Sequence, residues 1–374
     1  MRRTLAALVS AALVITMAAC GSSSDSGDTS TADKTIYVLG PTPDHGWTAQ
    51  AGTYAQQKVD DINKAGNYKA EYQASSDGEA QNDLVQNIIA NGDAAGVVFF
   101  ALDDSAKSGQ EALIGADIPF ISFDRIIEGP DKSAVLNFSG DNWAVGAGIG
   151  YWLQKNGMKP GDTLVTLIGD NGTVSSRRQE GFGQFLTGTL DYSDKETGET
   201  YKTAQTWTQA DVDALSGKYK VVCNWSADAA YQYLEQTLPD IIKDAKARGG
   251  NLYVFSMDDE MTFGFMNLLE GNTLTDAAKA DLEGMNVFIS AIGGMQEFYD
   301  VMAGTAPQSP IAEKYFDGTM SMYFSPQMMT TAVDYMVQYL DAKDWPYKVG
   351  DGEYEPTFIV DKNNVSEHKG FTGH

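Results

Sequence analysis

The chain has 374 residues and a formal net charge of −25, from 51 acidic against 26 basic side chains. So acidic a surface repels nucleic acid and anionic lipid, which makes both poor partners. With only Cys20 and Cys223 no disulfide framework is available, and no CxxC or Cys/His cluster offers a metal site, so no metal or cofactor is expected.

Met1-Arg2-Arg3 is a short basic start, and Leu5 to Ala19 is apolar apart from Ser10 and Thr16. That run has the length of a signal-peptide core and is too short to span a bilayer well. It ends in Met17-Ala18-Ala19-Cys20, which resembles the lipobox of bacterial lipoproteins. The resemblance implies a signal peptide over residues 1–19 and a lipidated Cys20. The alternative is an ordinary secretory signal with an Ala-rich cleavage site and an incidental cysteine. Gly21 to Asp33 carries no large apolar residue and cannot bury enough surface to fold, so residues 20–33 read as a flexible tether.

From Lys34 onward, short apolar runs alternate with helical patterns. Thr35 to Leu39 is the first run, stopped by Gly40-Pro41-Thr42-Pro43, and a helix is predicted from about Thr48 to Asn63. A strand at Tyr68–Tyr72 precedes a helix over Gln81–Ala90, whose Leu84, Val85, Ile88 and Ile89 share one face. Gly96–Phe100 is a buried strand, Ala106–Gly115 a helix, and Ile118–Phe123 a strand. A second series follows. Its strands are Leu164–Ile168, Lys220–Asn224, Leu252–Phe255 and Val287–Ser290, and its helices Asp141–Gln154, Ser176–Leu186, Ala227–Ala247 and Met261–Glu270. Strands apolar on both faces, alternating with helices, predict parallel sheets covered on both sides. Two series predict an α/β chain of two doubly wound lobes. The expected lobes are residues 34–140 with 325–343, and 141–324 with 344–374. Cys223, inside Lys220-Val221-Val222-Cys223, reads as a buried structural thiol. The polar stretch Leu190 to Asp211 is an insertion in the second lobe. Asp191-Tyr192-Ser193-Asp194 begins like a calcium loop but lacks its Gly and closing Glu.

Ligands of such sheets bind at the carboxyl ends of the strands. The residues there are Asp44-His45-Gly46-Trp47, Asp77-Gly78-Glu79-Ala80-Gln81, Gly115 to Arg125 (GADIPFISFDR), Ser176 to Phe182 (SRRQEGF) and Met257-Asp258-Asp259-Glu260-Met261. In order and spacing these resemble the ribose/galactose type of periplasmic sugar-binding protein, over about residues 35 to 365. The matching features are D-x-x-x-Q, the Gly-x-x-Ile-Pro strand ending in Asp-Arg, R-x-x-G-F, and an N-D-x-M-like turn; Gly140-Asp141-Asn142 resembles the first crossing between lobes. The resemblance implies a type I periplasmic-binding-protein fold closing over its ligand about three connecting strands. The crossings are expected near Gly140-Asp141, Tyr323-Phe324-Ser325 and Lys343-Asp344.

The resemblance also supplies candidate ligand contacts. Asp124 and Arg125 end one strand, where carboxylate and guanidinium can each meet two hydroxyls of one sugar; alternatively they pair with each other. Arg178, which has the R-x-x-G-F spacing that Arg177 lacks, would close from the other lobe. Asp258 stands where the family commonly has Asn; it can accept hydroxyl protons, cap the next helix, or do both. Trp47, His45 and Trp225 occupy positions of ring-covering aromatics, with His45 alternatively a loop residue, and Phe100 would add an apolar wall. The family's last lower-lobe strand ends in Asp-Gly, but here Ala291-Ile292-Gly293-Gly294-Met295-Gln296 has Gly293 at that Asp. Gln296 could replace the carboxylate, or a larger sugar could fill the gap. The departure puts ribose and glucose specifically in doubt, and the opening Asp-x-Gly-Trp is closer to furanose and ketose binders.

These readings imply a monomeric receptor that hands a small sugar to the permease subunits of an ABC importer. A sensor presenting a sugar or autoinducer to a chemoreceptor or kinase is the alternative. An enzyme, such as a glycosidase using Asp124 and Asp258, is the remote one. No P-loop, G-x-G-x-x-G after the first strand, G-x-S-x-G or H-E-x-x-H occurs. A regulator of the lac-repressor type is excluded by the lipobox and the lack of an N-terminal helix-turn-helix.

Overall fold

The computed structural model describes residues 34–42, 46–342 and 344–373. Cys20, His45 and Lys343, each given a role above, lie outside them. The first lobe is built from β1 (Thr35–Pro41), α1 (Gly46–Ala65), β2 (Lys69–Ser75), α2 (Gly78–Asn91), β3 (Ala94–Phe100), α3 (Lys107–Gly115), β4 (Phe120–Phe123) and β5 (Leu136–Gly140). The second contains α4 (Asn142–Lys155), β6 (Thr163–Ile168), α5 (Thr173–Leu186), the hairpin β7 (Tyr192–Ser193) and β8 (Thr200–Tyr201), α6 (Gln209–Gly217), β9 (Tyr219–Val222), α7 (Ala227–Ala247) and β10 (Asn251–Ser256). It continues through α8 (Asp259–Glu270), α9 (Asp276–Glu283), β11 (Asn286–Gly293), α10 (Gln296–Met302), α11 (Ser309–Tyr315) and β12 (Gly318–Tyr323). The chain ends with α12 (Met328–Leu340), β13 (Gly352–Glu355) and β14 (Ile359–Asp361).

Two six-stranded sheets result, ordered β13-β5-β4-β3-β1-β2 and β14-β12-β11-β10-β6-β9. All pairings in them are parallel except β12 with β14. The central strands are buried throughout, β1, β4, β5 and β6 at every position, because helices cover both faces. Helix α1 buries Ala51, Ala55, Val59 and Ile62 on one stripe. Asp77 caps α2 by accepting the Ala80 N–H, and Gly92 closes it in the left-handed conformation at φ 72°. Among the described residues no helix is long and apolar enough to cross a membrane.

Two crossings lie where expected: β5 ends at Gly140 before α4, and β12 ends at Tyr323 before α12 returns to pack on α1 and β3. The third does not. Residues 344–374 are not all in the second lobe, because β13 pairs in parallel with β5 of the first sheet. The chain then crosses at 356–358 to β14, which pairs with β12. The Gly352–Glu355 strand is a half-exposed edge with no apolar run, so its sequence carries no strand signal.

Candidate functional site

The carboxyl ends of both sheets face a cavity of about 530 Å³. The first lobe contributes Thr42, Trp47, Thr48, Ser75, Phe100, Asp103, Asp124 and Arg125 to its wall. The second contributes Val174, Arg178, Asn224, Trp225, Met257, Asp258, Ile292 and Gly293, and Phe324 lines it from the second crossing.

Asp124 follows β4 with φ 59°, a left-handed conformation that a non-glycine residue adopts only under constraint. Its N–H donates to the Phe138 carbonyl at 2.9 Å, so β5 fixes the turn. The side chain is buried and its Oδ1 has no hydrogen-bond partner. Burial raises its pKa, against the attraction of Arg178 and Arg125. Asp124 and Arg125 do not pair with each other. Arg125 donates from Nη2 to Asp170 at 2.6 Å and from Nε to the Ala101 carbonyl at 3.3 Å. Its Nη1 is buried without a hydrogen bond, 3.8 Å from Asp104 Oδ1.

Arg178, on α5, is buried in the cavity wall. Its Nε donates to Asn142 Oδ1 and its Nη1 to the Met257 carbonyl, both at 2.8 Å. Its guanidinium carbon lies 5.0 Å from the Phe324 ring centre and 5.6 Å from that of Trp225. Burial lowers its pKa to about 10, with Asp124 and Asp258 opposing. Arg177 instead lies over Trp143, 4.6 Å from the ring centre. Asp258 caps α8, accepting the Glu260 N–H at 2.7 Å, and also lines the cavity. Burial, then Glu260 and Asp259, raise its pKa well above the carboxylate range.

The aromatic wall runs from Trp47, edge-on to Phe100 at 5.8 Å, through Phe324 at 5.7 Å. Trp47 Nε1 donates to the Phe324 carbonyl at 2.6 Å. Asn224 and Trp225 both have positive φ, 49° and 60°, which turns the indole back over Gly169. A Cβ at residue 169 would come within 2.2 Å of that ring.

Gln296 does not reach the cavity. Its Nε2 donates to Asp300 and its Oε1 accepts the Gly370 N–H, so the amide holds the C-terminal segment. A carboxylate at residue 293 is also disfavoured: Gly293 has φ 144°, and a Cβ there would lie 2.9 Å from Asp259 Oδ2. Asp103, Asn142, Asp170, Asn224 and Phe324 are site residues that the sequence reading passed over. Asp103, Asp170, Asn224 and Phe324 lie one to three residues past strand ends, the same signal that picked out Asp124. Among the described residues no group of three or more His, Cys, Asp or Glu side chains is placed to hold a metal ion. Cys223 is a free, buried thiol whose pKa burial pushes up to about 11.

A sequence search of curated proteins found no match. Solved structures of similar fold include a galactofuranose-binding protein (18% identity, 89% of this chain and 96% of that one, TM-score 0.61). A carbohydrate transporter solute-binding protein from Chloroflexus aurantiacus, in complex with D-glucose, has 18% identity over 89% of this chain and 94% of that one, TM-score 0.63. An ABC transporter solute-binding protein from Bacillus halodurans with bound myo-inositol has 16% identity over 90% and 97%, TM-score 0.62. A family model described as periplasmic binding protein domain matches residues 36–344, and the chain belongs to that family.

Proposed function

We propose that the chain captures a small sugar between its lobes outside the cytoplasm and delivers it to the permease of an ABC importer. The observation that carries this reading is the convergence of Asp124 and Arg125 from one sheet with Arg178 and Asp258 from the other on one aromatic-walled cavity. Carboxylates accept hydroxyl protons, guanidinium N–H groups donate to hydroxyl oxygens, and indoles cover C–H faces. Asp124 Oδ1 and Arg125 Nη1, which make no hydrogen bond within the chain, are a ready acceptor and donor. The ligands named for proteins of similar fold, D-glucose, myo-inositol and galactofuranose, are all neutral polyols. With no carboxylate at Gly293, recognition on that side falls to backbone and Ile292, which leaves room for a larger sugar or a short oligosaccharide, while the Asp-x-Gly-Trp opening favours a furanose or a ketose. The groups around Asp124 suit binding rather than catalysis, since Arg178 and Arg125 attract its charge. Anchoring through Cys20 and the 20–33 tether completes the proposal. The lobes are taken as 34–140 with 325–355 and 141–324 with 356–374.

The test is a thermal-shift screen of the purified protein against pentoses, hexoses, ketoses, inositols and short oligosaccharides. A sugar at a thousandfold excess over its Kd adds about 4 kcal/mol, a rise of several degrees. That rise should vanish in Asp124→Ala and Arg178→Ala. No shift with any carbohydrate would overturn the assignment.

A further inference from the structure

The two lobes touch across the cleft through a bond between Asp170 and Arg125 that ligand binding alone does not explain. Asp170 follows β6 in the second lobe, and Arg125 follows β4 in the first. Asp170 divides its two oxygens between the lobes. Oδ1 stays at home, accepting the Gly172 N–H at 2.9 Å and the Ser175 hydroxyl at 3.0 Å. Oδ2 reaches over the cleft to Arg125 Nη2 at 2.6 Å. The approach is shaped for that partner: a Cβ on Gly172 would lie 2.0 Å from Arg125 Nη1. Only 6% of the Arg125 side chain and 22% of that of Asp170 are exposed, so water competes weakly for the bond. Burial works against the Asp170 charge, but Arg125 and the bonds from Gly172 and Ser175 outweigh it and hold its pKa below the usual carboxylate value. Two further bonds join the lobes elsewhere, from the Gly46 N–H to Glu260 Oε1 at 2.6 Å and from Arg177 Nη2 to the Ile126 carbonyl at 3.4 Å.

We propose that Asp170 is a positioning residue that latches the lobes together and sets the pose of Arg125 before any ligand arrives. The consequence for binding rests on the sugar-cleft reading above, whereas closure itself does not. Asp170 takes one N–H of Nη2 and Ala101 takes that of Nε, so the two N–H groups of Nη1 and the second of Nη2 are what Arg125 can offer a ligand. Arg125 is held in that pose only when the lobes are closed.

The test uses the ligand-free protein, so its outcome is independent of which ligand the cleft takes. Nitroxide labels carried by unnatural amino acids at Gln86 on α2 and Lys243 on α7, both exposed, leave the cysteines untouched. Pulsed dipolar spectroscopy should find a predominant short interlobe distance in the unsubstituted chain. Asp170→Asn should lower the closed-to-open ratio roughly tenfold, the worth of a charge-assisted hydrogen bond, with the thermal midpoint little changed. Asp170→Glu, which keeps the charge, should restore part of the short-distance population. Arg125→Met removes the charge and every donor while leaving the Gly172 and Ser175 contacts of Asp170 intact, so it decides the matter alone if Asp170→Asn fails to fold. An unsubstituted chain that is mainly open without ligand, or variants with an unchanged distance distribution, would overturn the latch.

Discussion

Asp259 lies just under the cavity and decides the shape of its floor. Its Oδ2 accepts the N–H groups of Gly294 and Met295 at 2.8 and 2.7 Å, and its Oδ1 the Ser321 hydroxyl at 2.7 Å. Those bonds fix the turn after β11 at Gly293 and Gly294, both with positive φ. Burial nevertheless dominates, raising the Asp259 pKa from 3.8 to about 6. The folded chain therefore holds this proton more tightly than the unfolded one. The resulting stabilisation is complete below about pH 4 and is lost as pH rises through 6, a span worth about 3 kcal/mol. Asp259→Asn has no such proton. Urea titrations at pH 4 and pH 7 should show the unsubstituted chain losing up to about 3 kcal/mol relative to the variant as pH rises. Parallel curves would place the proton elsewhere. The sequence showed Asp258-Asp259-Glu260 as three acids at one strand end, but not their division of labour. Asp258 lines the cavity, Asp259 braces the turn and Glu260 reaches Gly46. That division depends on where each carboxylate points once β10 and α8 are packed.

Helices α4 and α5 approach almost backbone to backbone. A Cβ on Gly146 would lie 2.0 Å from the Arg178 carbonyl oxygen, and one on Gly181 would lie 2.1 Å from that of Trp143. Neither obstacle is a flexible side chain, so neither can yield. The close contact lets Arg178 on α5 donate to Asn142 at the start of α4. Gly181→Ala should push the helices apart at about 1–3 kcal/mol, the range for overpacking, seen as a lower urea midpoint. It should also displace Arg178 and shrink the thermal shift given by whichever sugar the screen identifies. A glycine variant that kept the full shift would uncouple the helix contact from the site. Gly181 belongs to the R-x-x-G-F pattern, so the sequence flagged the position and the packing supplies the reason. The long apolar strands were legible because burial on both faces leaves continuous Val, Ile, Leu and Phe runs, as in Leu164–Ile168. By contrast β5, β12 and β13 mix Asn, Ser, Thr, Gly or Glu among their apolar residues, so no apolar run marks them, although β5 is buried throughout.

Across the whole molecule, the insertion at 190–211 belongs to the hinge rather than to a surface loop. Its β7–β8 hairpin stacks Tyr201 on Tyr151 at 4.1 Å, with Tyr192 alongside at 5.8 Å. Buried Asp194 at its tip accepts from the Tyr192 hydroxyl at 2.8 Å, from the N–H groups of Glu196 and Thr197, and from the Ile359 N–H at 3.4 Å. Lys195 N–H meets the Thr357 carbonyl, and His368 Nε2 lies 3.0 Å from Glu196 Oε1. The hairpin thus clasps the third crossing, which the Tyr323 N–H bonds to the second through the Phe358 carbonyl at 2.8 Å. Asp194→Ala should leave buried donors unpaired at about 2–3 kcal/mol. Amide hydrogen exchange should quicken at Glu196, Thr197 and Ile359 while the first-lobe sheet stays protected. Unchanged exchange at Ile359 would mean the clasp bears no load.

Apolar runs and helix periodicity in the sequence determined the α/β architecture and the two lobes. The order of its strand-end motifs, through the family they resemble, pointed to Asp124, Arg125, Arg178 and Asp258, which line the cleft with Trp47, Phe100 and Trp225. The sequence did not determine that Gln296 turns away to hold Gly370, that Gly293 yields its place to Asp259, or that Asp170 takes Arg125 from across the cleft. Each joins residues 34 to 74 positions apart in the chain. Which of several nearby polar groups becomes the partner is settled only when two sheets and their crossings fix the distances.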